Sequence, residues 1–271
     1  MIDDYLQRLG LDRPAHADLA ALSLLQATHQ QRIPFENIDI IAGQPLSLEP
    51  DHLSDKLLHR GRGGFCYELN SMFARLLEQL GFQVTLLSAG VFNGEGVPGL
   101  PFDHLCLRVD LDQGPYLCDV GFGRAAVHPL PLRAAESITD AAGEFRLREL
   151  DQAEAKFGPP SWLLSRHAPD NPRTDADGWM PLFLFDLQPR ALSDFDAMFR
   201  WHQSSPDSVF PGTLILTQAK ANGRVSIRGQ KWQRLEDGRE STGEFKNASA
   251  RREMAREEFG VELSAELDDR G

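Results

Sequence analysis

The spacing of apolar residues predicts that the first third of the chain is helical. Apolar side chains recur at helical intervals between residues 5 and 80, as at Leu19, Leu22 and Leu25. Gly81 follows the last of these segments as a stop signal, because glycine readily adopts the left-handed conformation in which many helices end. We therefore expect the helical part to end near residue 81.

Beyond residue 81 the apolar pattern becomes typical of strands. Residues 82–92 form a β-prone run, and residues 104–109 alternate, with two leucines and a valine on one face and more polar side chains on the other. A turn at residues 112–115 separates this segment from a further strand candidate at residues 116–120. The two strands predict an antiparallel hairpin.

The C-terminal part of the chain predicts a smaller mixed unit. Short strand candidates lie at residues 183–187, 214–217 and 225–227, and residues 250–259 return to a charged helical pattern. The Pro-rich run at residues 158–172 predicts a long loop. We expect a small α/β segment at the C-terminus.

Composition and charge narrow the possible functions. Of the 271 residues, 41% are hydrophobic and 25% are charged, which is typical of a globular protein. Asp and Glu outnumber Lys and Arg by 40 to 28, and this net charge of −12 opposes binding to nucleic acid or to an anionic membrane. The N-terminus lacks a basic and apolar leader, and no apolar run approaches about 18 residues. We expect a cytoplasmic protein.

Cys66 is the first candidate for a catalytic residue. It follows Gly63 and Gly64 and opens an apolar-periodic helix, where unpaired N–H groups and the helix dipole would lower the thiol pKa from roughly 8.5. The two glycines would also let a substrate approach the sulfur. A free cysteine is more often a small buried apolar residue, so this context alone leaves both a nucleophile and a core residue open.

A nucleophilic cysteine needs a base, and the base needs a group that orients it. His104 begins one predicted strand and Asp119 lies near the end of the next, so a hairpin would bring the two side chains together. The alternatives are a surface histidine and a turn residue ahead of Gly121. The order Cys, His, Asp matches that of papain-like and transglutaminase-like enzymes.

Metal binding is not expected. The three cysteines, Cys66, Cys106 and Cys118, lack the spacing of a disulfide framework, which suits a reducing compartment and predicts at least one free thiol. His104 could approach Cys106 and Cys118, but the sequence contains no CxxC or HxxxH pair, and a catalytic His104 could not also be a metal ligand.

Four segments resemble the signature segments of arylamine N-acetyltransferases. They are Arg-Gly-Gly-Phe-Cys-Tyr-Glu-Leu-Asn at residues 62–70, His-Leu-Cys-Leu-Arg-Val at 104–109, Asp-Val-Gly-Phe-Gly at 119–123 and Pro-Phe-Glu-Asn-Ile at 34–38. Weaker matches continue at residues 184–190, 205–210, 223–224 and 259–263. The resemblance therefore spans almost the whole chain.

The resemblance implies an α+β fold in three parts. These are an N-terminal helical bundle at residues 1–81, a central antiparallel β-barrel-like domain at 82–190 and a C-terminal α/β lid at 191–271. The implied catalytic core is similar to that of cysteine proteases. In it Cys66, His104 and Asp119 meet in a cleft between the first two parts.

The resemblance also implies the reaction. Acetyl-CoA, as the acyl donor, would acetylate Cys66, and an arylamine or hydrazine acceptor would then attack the thioester while His104 handles its proton. CoA is anionic, so a local group of Arg, Lys or N–H donors must overcome the overall repulsion. The family's apolar acceptor pocket matches Phe35, Phe122 and Phe210, each of which could equally be a core residue.

Further residues are expected to support the cysteine loop or to modify the site. Arg62, next to Gly63 and Gly64, could reach Glu36 or Glu68 and hold the loop through a structural ion pair. Phe199 stands where many members of the family have Asn, a difference expected to alter the acceptor or CoA mouth and not the thiol chemistry.

Several alternatives to this function are compatible with the sequence. A cysteine hydrolase or a transglutaminase-like acyl transferase would take its acyl group from a peptide, and a related amide synthase would close a macrocycle. A non-catalytic acyl-CoA-binding module would keep the fold without turnover. The expected partners are small molecules, without nucleic acid or membrane, and the protein could be a monomer or a homo-oligomer.

Overall fold

The computed structural model describes residues 1–134, 137–151 and 161–268. Its first 80 residues are mainly helical, as predicted from the apolar spacing. The helices of this part are α1 (Ile2–Leu9), α2 (Leu19–Arg32), α3 (Ile38–Ile41), α4 (Pro50–Ser54), which a π-helical turn extends to His59, and α5 (Cys66–Gln79). Gly81 follows α5 with a φ of 92°, the left-handed conformation expected of a stop signal.

An antiparallel sheet of eight strands forms the barrel-like centre of the molecule, which confirms the predicted α+β fold. Its strands are β2 (Gln83–Val91), β3 (His104–Leu111), β4 (Gly114–Cys118), β5 (Leu130–Pro131), β6 (Ile138–Asp140), β7 (Gly143–Leu150), β8 (Ser161–His167) and β9 (Trp179–Asp186). Their order in the sheet is β5-β4-β3-β2-β9-β8-β7-β6. The predicted hairpin is present as β3 and β4.

A second sheet of five strands lies in the C-terminal part and takes its edge strand from the helical part. In spatial order its strands are β1 (Phe35–Glu36), β10 (Ile215–Lys220), β11 (Gly223–Arg228), β12 (Lys231–Glu236) and β13 (Arg239–Glu244). The helices here are α6 (Asp196–Ser204), α7 (Val209–Gly212) and α8 (Ala248–Phe259). The division of the chain at residues 81 and 190 stays a prediction.

The alternation along β3 separates two apolar cores. Leu105, Leu107 and Val109 pack with the buried face of α5, whereas Cys106 packs with Leu87 among the side chains inside the barrel-like sheet. The same strand therefore carries site residues at its start and joins the helical part to the barrel. No helix in the described part of the chain is long and apolar enough to cross a membrane.

Two details differ from the sequence predictions. The loop expected at residues 158–172 is wrong for Ser161–His167, which forms β8, because Trp162 and Leu164 alternate into the barrel core; residues 158–160 lie outside the described residues. The second hairpin strand ends at Cys118, so Asp119 stands just beyond the strand.

Burial of His29 makes the stability of the fold depend on pH. His29 is fully buried on α2, its Nδ1 shares a hydrogen bond of 2.7 Å with the Tyr5 hydroxyl, and burial lowers its pKa to about 3. Below the unfolded pKa of about 6.5 the unfolded chain binds a proton that the folded chain refuses, so stability is lost as the pH falls from 6.5 toward 3.

We predict that this single group costs about 2 kcal/mol of unfolding free energy by pH 5. Urea unfolding at pH 7 and pH 5 measures it, with His29→Asn as the comparison, because asparagine offers an acceptor near the Nδ1 position and does not titrate. The wild type should lose about 2 kcal/mol more than the variant between the two pH values. Parallel losses in both proteins would contradict the assignment.

Candidate active site

Cys66 is the first residue of α5 and lies where this helix meets β3. The Glu68 carboxylate accepts a hydrogen bond of 3.1 Å from the Phe65 N–H, which caps the helix at this point. The N–H groups of Tyr67 and Leu105 both donate toward the sulfur, so it lies beside the start of β3. Cys66 is only 3% exposed, and its position is fixed by the backbone on both sides.

His104 and Asp119 form a buried pair next to this helix. The His104 Nε2 and the Asp119 Oδ2 are 2.7 Å apart, and neither side chain is more than 5% exposed. The pairing follows from the antiparallel register of β3 and β4, in which Leu107 lies opposite Cys118. The start of β3 and the residue after β4 are therefore neighbours.

Asn70 connects this pair to the helix that carries the cysteine. It lies four residues after Cys66, hence on the same face of α5. Its amide nitrogen donates to Asp119 Oδ1 at 2.9 Å and to the Leu105 carbonyl at 2.7 Å. The Gly121 N–H donates to the same Oδ1 at 2.8 Å. The sequence pattern alone did not assign a role to Asn70, although its spacing of four residues from Cys66 places both side chains on one face of the helix.

The electrostatic surroundings of the thiol oppose its ionisation. Burial raises the pKa of the Cys66 thiol well above its ordinary value, and the charges of Asp103 and Asp119 raise this pKa further, while the two N–H donors lower it less. This differs from the lowering expected at a helix N-terminus, because the loss of hydration outweighs the N–H groups. A thiolate at neutral pH therefore needs a neighbouring proton acceptor such as His104.

Buried ion pairs hold the segment that precedes Cys66. Lys56 is 1% exposed, and its Nζ lies 2.8 Å from both Glu68 Oε1 and Asp39 Oδ2. Arg62 donates to Glu36 Oε1 at 2.8 Å and to Asp39 Oδ1 at 2.9 Å. Arg62 thus contacts one of the two glutamates it was expected to reach. The other is held by Lys56, which sequence reasoning missed.

The two glycines before Cys66 allow close packing of protein segments. A Cβ on Gly63 would lie 2.0 Å from the Pro34 carbonyl oxygen, and a Cβ on Gly64 would lie 2.8 Å from Glu68 Oε2. The space beside them is therefore filled by Pro34, by Glu36 and by the capping carboxylate of Glu68. This differs from the expectation that the glycines leave room for a substrate.

The three phenylalanines expected in an acceptor pocket fall into two groups. The Phe122 ring lies 5.5 Å from the His104 ring and 5.1 Å from that of Phe183, measured between centroids. Phe35 and Phe210 contact each other at 6.2 Å. Phe183 was not expected from the sequence, although it lies only 5.4 Å from His104.

Phe199 packs on the residue that precedes the cysteine. Its ring stacks on that of Phe65 with centroids 5.6 Å apart and is 7% exposed. The Phe65 ring also contacts Phe210 at 5.7 Å. The phenylalanine at position 199 therefore connects α6 to the start of α5.

Another buried histidine, His202 on α6, joins the C-terminal part to the site. Its Nε2 lies 3.2 Å from Asp103 Oδ1, and its Nδ1 lies 3.1 Å from the Ser208 hydroxyl. Asp103 directly precedes His104 in the chain. In the residues that the structure describes, no group of three or more His, Cys, Asp or Glu side chains is arranged to hold a metal ion.

Comparisons with known proteins agree with this geometry. A sequence model of the N-acetyltransferase family matches residues 18–267. An arylamine N-acetyltransferase of Mycolicibacterium smegmatis is 30% identical over 266 residues, which are 96% of this chain and 91% of the relative. The chain belongs to the arylamine N-acetyltransferase family. The family predicted from the signature segments is thereby confirmed, and the protein is an acyltransferase.

Two further relatives are a CoA complex and a synthase. The structure of Mycobacterium marinum arylamine N-acetyltransferase in complex with CoA aligns with a TM-score of 0.85 and 26% identity, covering 96% of this chain and 93% of that one. A proansamycin X synthase of Amycolatopsis mediterranei is 30% identical over 246 residues, covering 88% of this chain and 89% of the synthase.

We predict that Lys56→Met destabilises the protein by about 3 kcal/mol or more, because it leaves the Glu68 carboxylate buried without its cation. Arg60→Met is the matched control, since Arg60 forms an ion pair of 2.8 Å with Asp55 in which both side chains are at least half exposed. This control should change the free energy of unfolding by less than about 1 kcal/mol. Urea unfolding of both variants measures the difference, and equal losses would show that the buried pair is dispensable.

Proposed function

We propose that the protein is an acetyl-CoA-dependent N-acetyltransferase that acts on arylamines, arylhydrazines and related acceptors through an acetyl thioester on Cys66. The observation that carries the proposal is the buried pair of His104 and Asp119, whose nitrogen and oxygen are 2.7 Å apart beside the helix that begins at Cys66. Membership in the arylamine N-acetyltransferase family supports the reaction, and the similarity to a CoA complex supports the donor.

The proton must move between Cys66 and His104 in both halves of the reaction. With Nε2 hydrogen-bonded to Asp119, Nδ1 of His104 is the free base that takes the thiol proton. The thiolate attacks the acetyl carbonyl, the C–S bond to CoA breaks, and the imidazolium returns the proton to the departing CoA sulfur. The amine then attacks the acetyl-cysteine, His104 takes the amine proton, and Cys66 leaves as the thiol.

Asp119 acts on His104 and not on the substrate. Its carboxylate stabilises the imidazolium that forms when Cys66 loses its proton. This compensates for burial and negative charge, both of which raise the pKa of the thiol. In this proposal Cys66, His104 and Asp119 form the catalytic triad, Asn70 orients its third member, and Arg62, Glu36, Gly63 and Gly64 hold the cysteine loop.

The aromatic residues beside the site support an apolar acceptor pocket. Phe122 lies against the His104 ring, and Phe35 and Phe210 lie together next to Phe65. These side chains would bury the ring of an arylamine and leave its amino group facing the thioester.

In the same proposal residues 1–81 form the helical bundle, residues 82–190 the barrel-like domain and residues 191–271 the lid. The three free cysteines support a cytoplasmic location.

We predict that brief incubation with acetyl-CoA and no acceptor adds one acetyl group to the protein, mapped to Cys66 by mass spectrometry. Cys66→Ser should fold and stay unmodified, because a serine hydroxyl ionises far less readily. Cys106→Ala is the matched control and should keep the adduct. An adduct on Cys106 or Cys118 would contradict the proposed nucleophile.

The similarity to a proansamycin X synthase favours a second candidate function, that of an amide synthase. A related amide synthase would use Cys66 to accept an acyl group from a donor other than acetyl-CoA. The same measurement separates the two, because an amide synthase would leave Cys66 unmodified by acetyl-CoA and give an adduct only with its own acyl donor.

We predict that Asp119→Asn slows acetylation of Cys66 by roughly 100-fold or more and shifts its alkylation by iodoacetamide to higher pH. Two effects oppose each other here. Removing the charge lowers the thiol pKa directly, but it also removes the support for the imidazolium that receives the proton. We expect the second effect to dominate.

Alkylation rates of the wild type and Asp119→Asn, measured against pH, test this expectation. The variant's curve should lie at higher pH. A curve that moves to lower pH, or one that superimposes with activity retained, would show that Asp119 is only a nearby charge or a turn residue.

A further inference from the structure

The two residues before His104 lead into β3 through a strained backbone. Phe102 has a φ of 68°, in the left-handed region, which costs a residue with a side chain about 1–3 kcal/mol. Such a conformation persists only where the surrounding structure holds it. We call Phe102 and Asp103 the connector. The contacts of the connector determine where β3 begins, and hence where the His104 ring lies.

The helical part and the barrel-like sheet hold the connector from two sides. The hydroxyl of Tyr67, in the first turn of α5, donates to the Phe102 carbonyl at 2.6 Å. The Ser88 hydroxyl accepts a hydrogen bond of 2.7 Å from the Phe102 N–H, and the Val91 N–H donates to Asp103 Oδ2 at 3.0 Å. These contacts fix the backbone of Phe102 and one oxygen of the Asp103 carboxylate.

His202 on α6 holds the connector from the C-terminal part. Its Nε2 forms a hydrogen bond of 3.1 Å with the Asp103 carbonyl and lies 3.2 Å from Asp103 Oδ1. Both of these oxygens are acceptors, so Nε2 carries a hydrogen and donates it. The same ring nitrogen therefore contacts the backbone and the side chain of the residue that precedes His104.

The His202 ring is itself fixed in this orientation. Its side chain is 6% exposed, and its Nδ1 lies 3.1 Å from the Ser208 hydroxyl. The rings of Tyr67 and Phe210 pack beside it, with centroids at 6.0 and 5.1 Å. Because both nitrogens have partners and the faces are packed, the ring cannot turn away from Asp103 without losing these contacts.

We propose that His202 is a positioning residue, which holds Asp103 and thereby keeps the His104 ring in place beside Cys66. The inference rests on the proposed function, in which His104 exchanges a proton with Cys66. His202 acts through the connector and does not touch the reacting atoms. The effect on rate is large because a misplacement of about 1 Å can cost about 100-fold in a catalysed reaction.

A residue that acts through His104 has a recognisable kinetic effect. His104 takes a proton from Cys66 in the first half-reaction and from the amine in the second, so a displaced ring slows both. The contact between His202 and Phe210 suggests a competing role as a wall of the acceptor pocket. A wall of that pocket would affect only the second half-reaction. Separate measurement of the two half-reactions therefore distinguishes the two roles.

Two substitutions at position 202 separate the contacts of the two ring nitrogens. Glutamine places its amide nitrogen near the Nε2 position and keeps a donor for Asp103, whereas asparagine reaches only the Nδ1 position and keeps only the contact with Ser208. Single-turnover mixing measures CoA release from acetyl-CoA and then transfer of the acetyl group to aniline. His202→Asn should slow both steps by a similar factor, roughly 10-fold or more. His202→Gln should restore most of both rates.

Two further variants serve as control and second test. Gln203→Leu changes the next residue of α6, whose Oε1 accepts a hydrogen bond of 3.1 Å from the Leu46 N–H, and should leave both rates unchanged. Ser208→Ala removes the partner of Nδ1 and leaves His202 intact. It should slow both half-reactions by one common, smaller factor, and it tests the proposal even if His202→Asn does not fold. Circular dichroism and urea unfolding show which variants are folded.

Three outcomes would overturn the role of His202. They are wild-type rates in His202→Asn, equal losses in His202→Asn and His202→Gln, and slowing confined to the step with aniline. The last of these would assign His202 to the acceptor pocket.

Alkylation of Cys66 by iodoacetamide separates this proposal from the proposed function, because it needs no acyl donor. Slower alkylation in His202→Asn that is restored in His202→Gln, without an acetyl adduct in the wild type, would support the positioning of His104 and overturn acetyl transfer. An acetyl adduct on Cys66, with wild-type half-reaction and alkylation rates in His202→Asn, would support the proposed function and overturn the role of His202.

Discussion

The geometry of the site depends on one buried carboxylate, that of Asp119. It is 4% exposed, and a buried charge is stable only when donors surround it. His104, Asn70 and the Gly121 N–H supply these contacts at 2.7, 2.9 and 2.8 Å. The three partners belong to β3, to α5 and to the loop after β4. Satisfying one carboxylate therefore also fixes the histidine relative to the helix that begins at Cys66.

A second buried charge system acts on the other side of the cysteine. Lys56 neutralises Glu68, whose carboxylate also accepts the Phe65 N–H and so starts α5. The backbone before Cys66 is therefore held by ion pairs and the backbone after it by the contacts of Asn70. The sulfur lies between these two rigid systems, which would reduce the reorganisation needed in the proposed proton transfer to His104. The burial that makes the site rigid also raises the pKa of the Cys66 thiol. A rigid position for the sulfur is therefore useful only together with a base that can take the thiol proton.

The sequence predicted the features that depend on a local pattern of apolar residues or on a signature segment. The alternation at residues 104–109 located both faces of β3, and the signature around Cys66 indicated the family. It did not reveal Lys56, whose partner Glu68 is twelve residues away, nor the pairing of Phe35 with Thr217 between β1 and β10. Such contacts depend on how distant segments pack, which apolar periodicity does not report. Ser161–His167 was predicted as loop because neighbouring prolines obscured its short alternation.

The charges near Cys66 restrict which part of a ligand can approach the sulfur. Asp103 and Asp119 put negative charge near the thiol, which repels an anionic group as well as raising the thiol pKa. A neutral acyl group meets no such repulsion. The rings of Phe122 and Phe183 lie beside His104 and offer apolar contacts to an uncharged group. The carboxylates and the rings around Cys66 therefore both favour neutral, apolar groups at the sulfur.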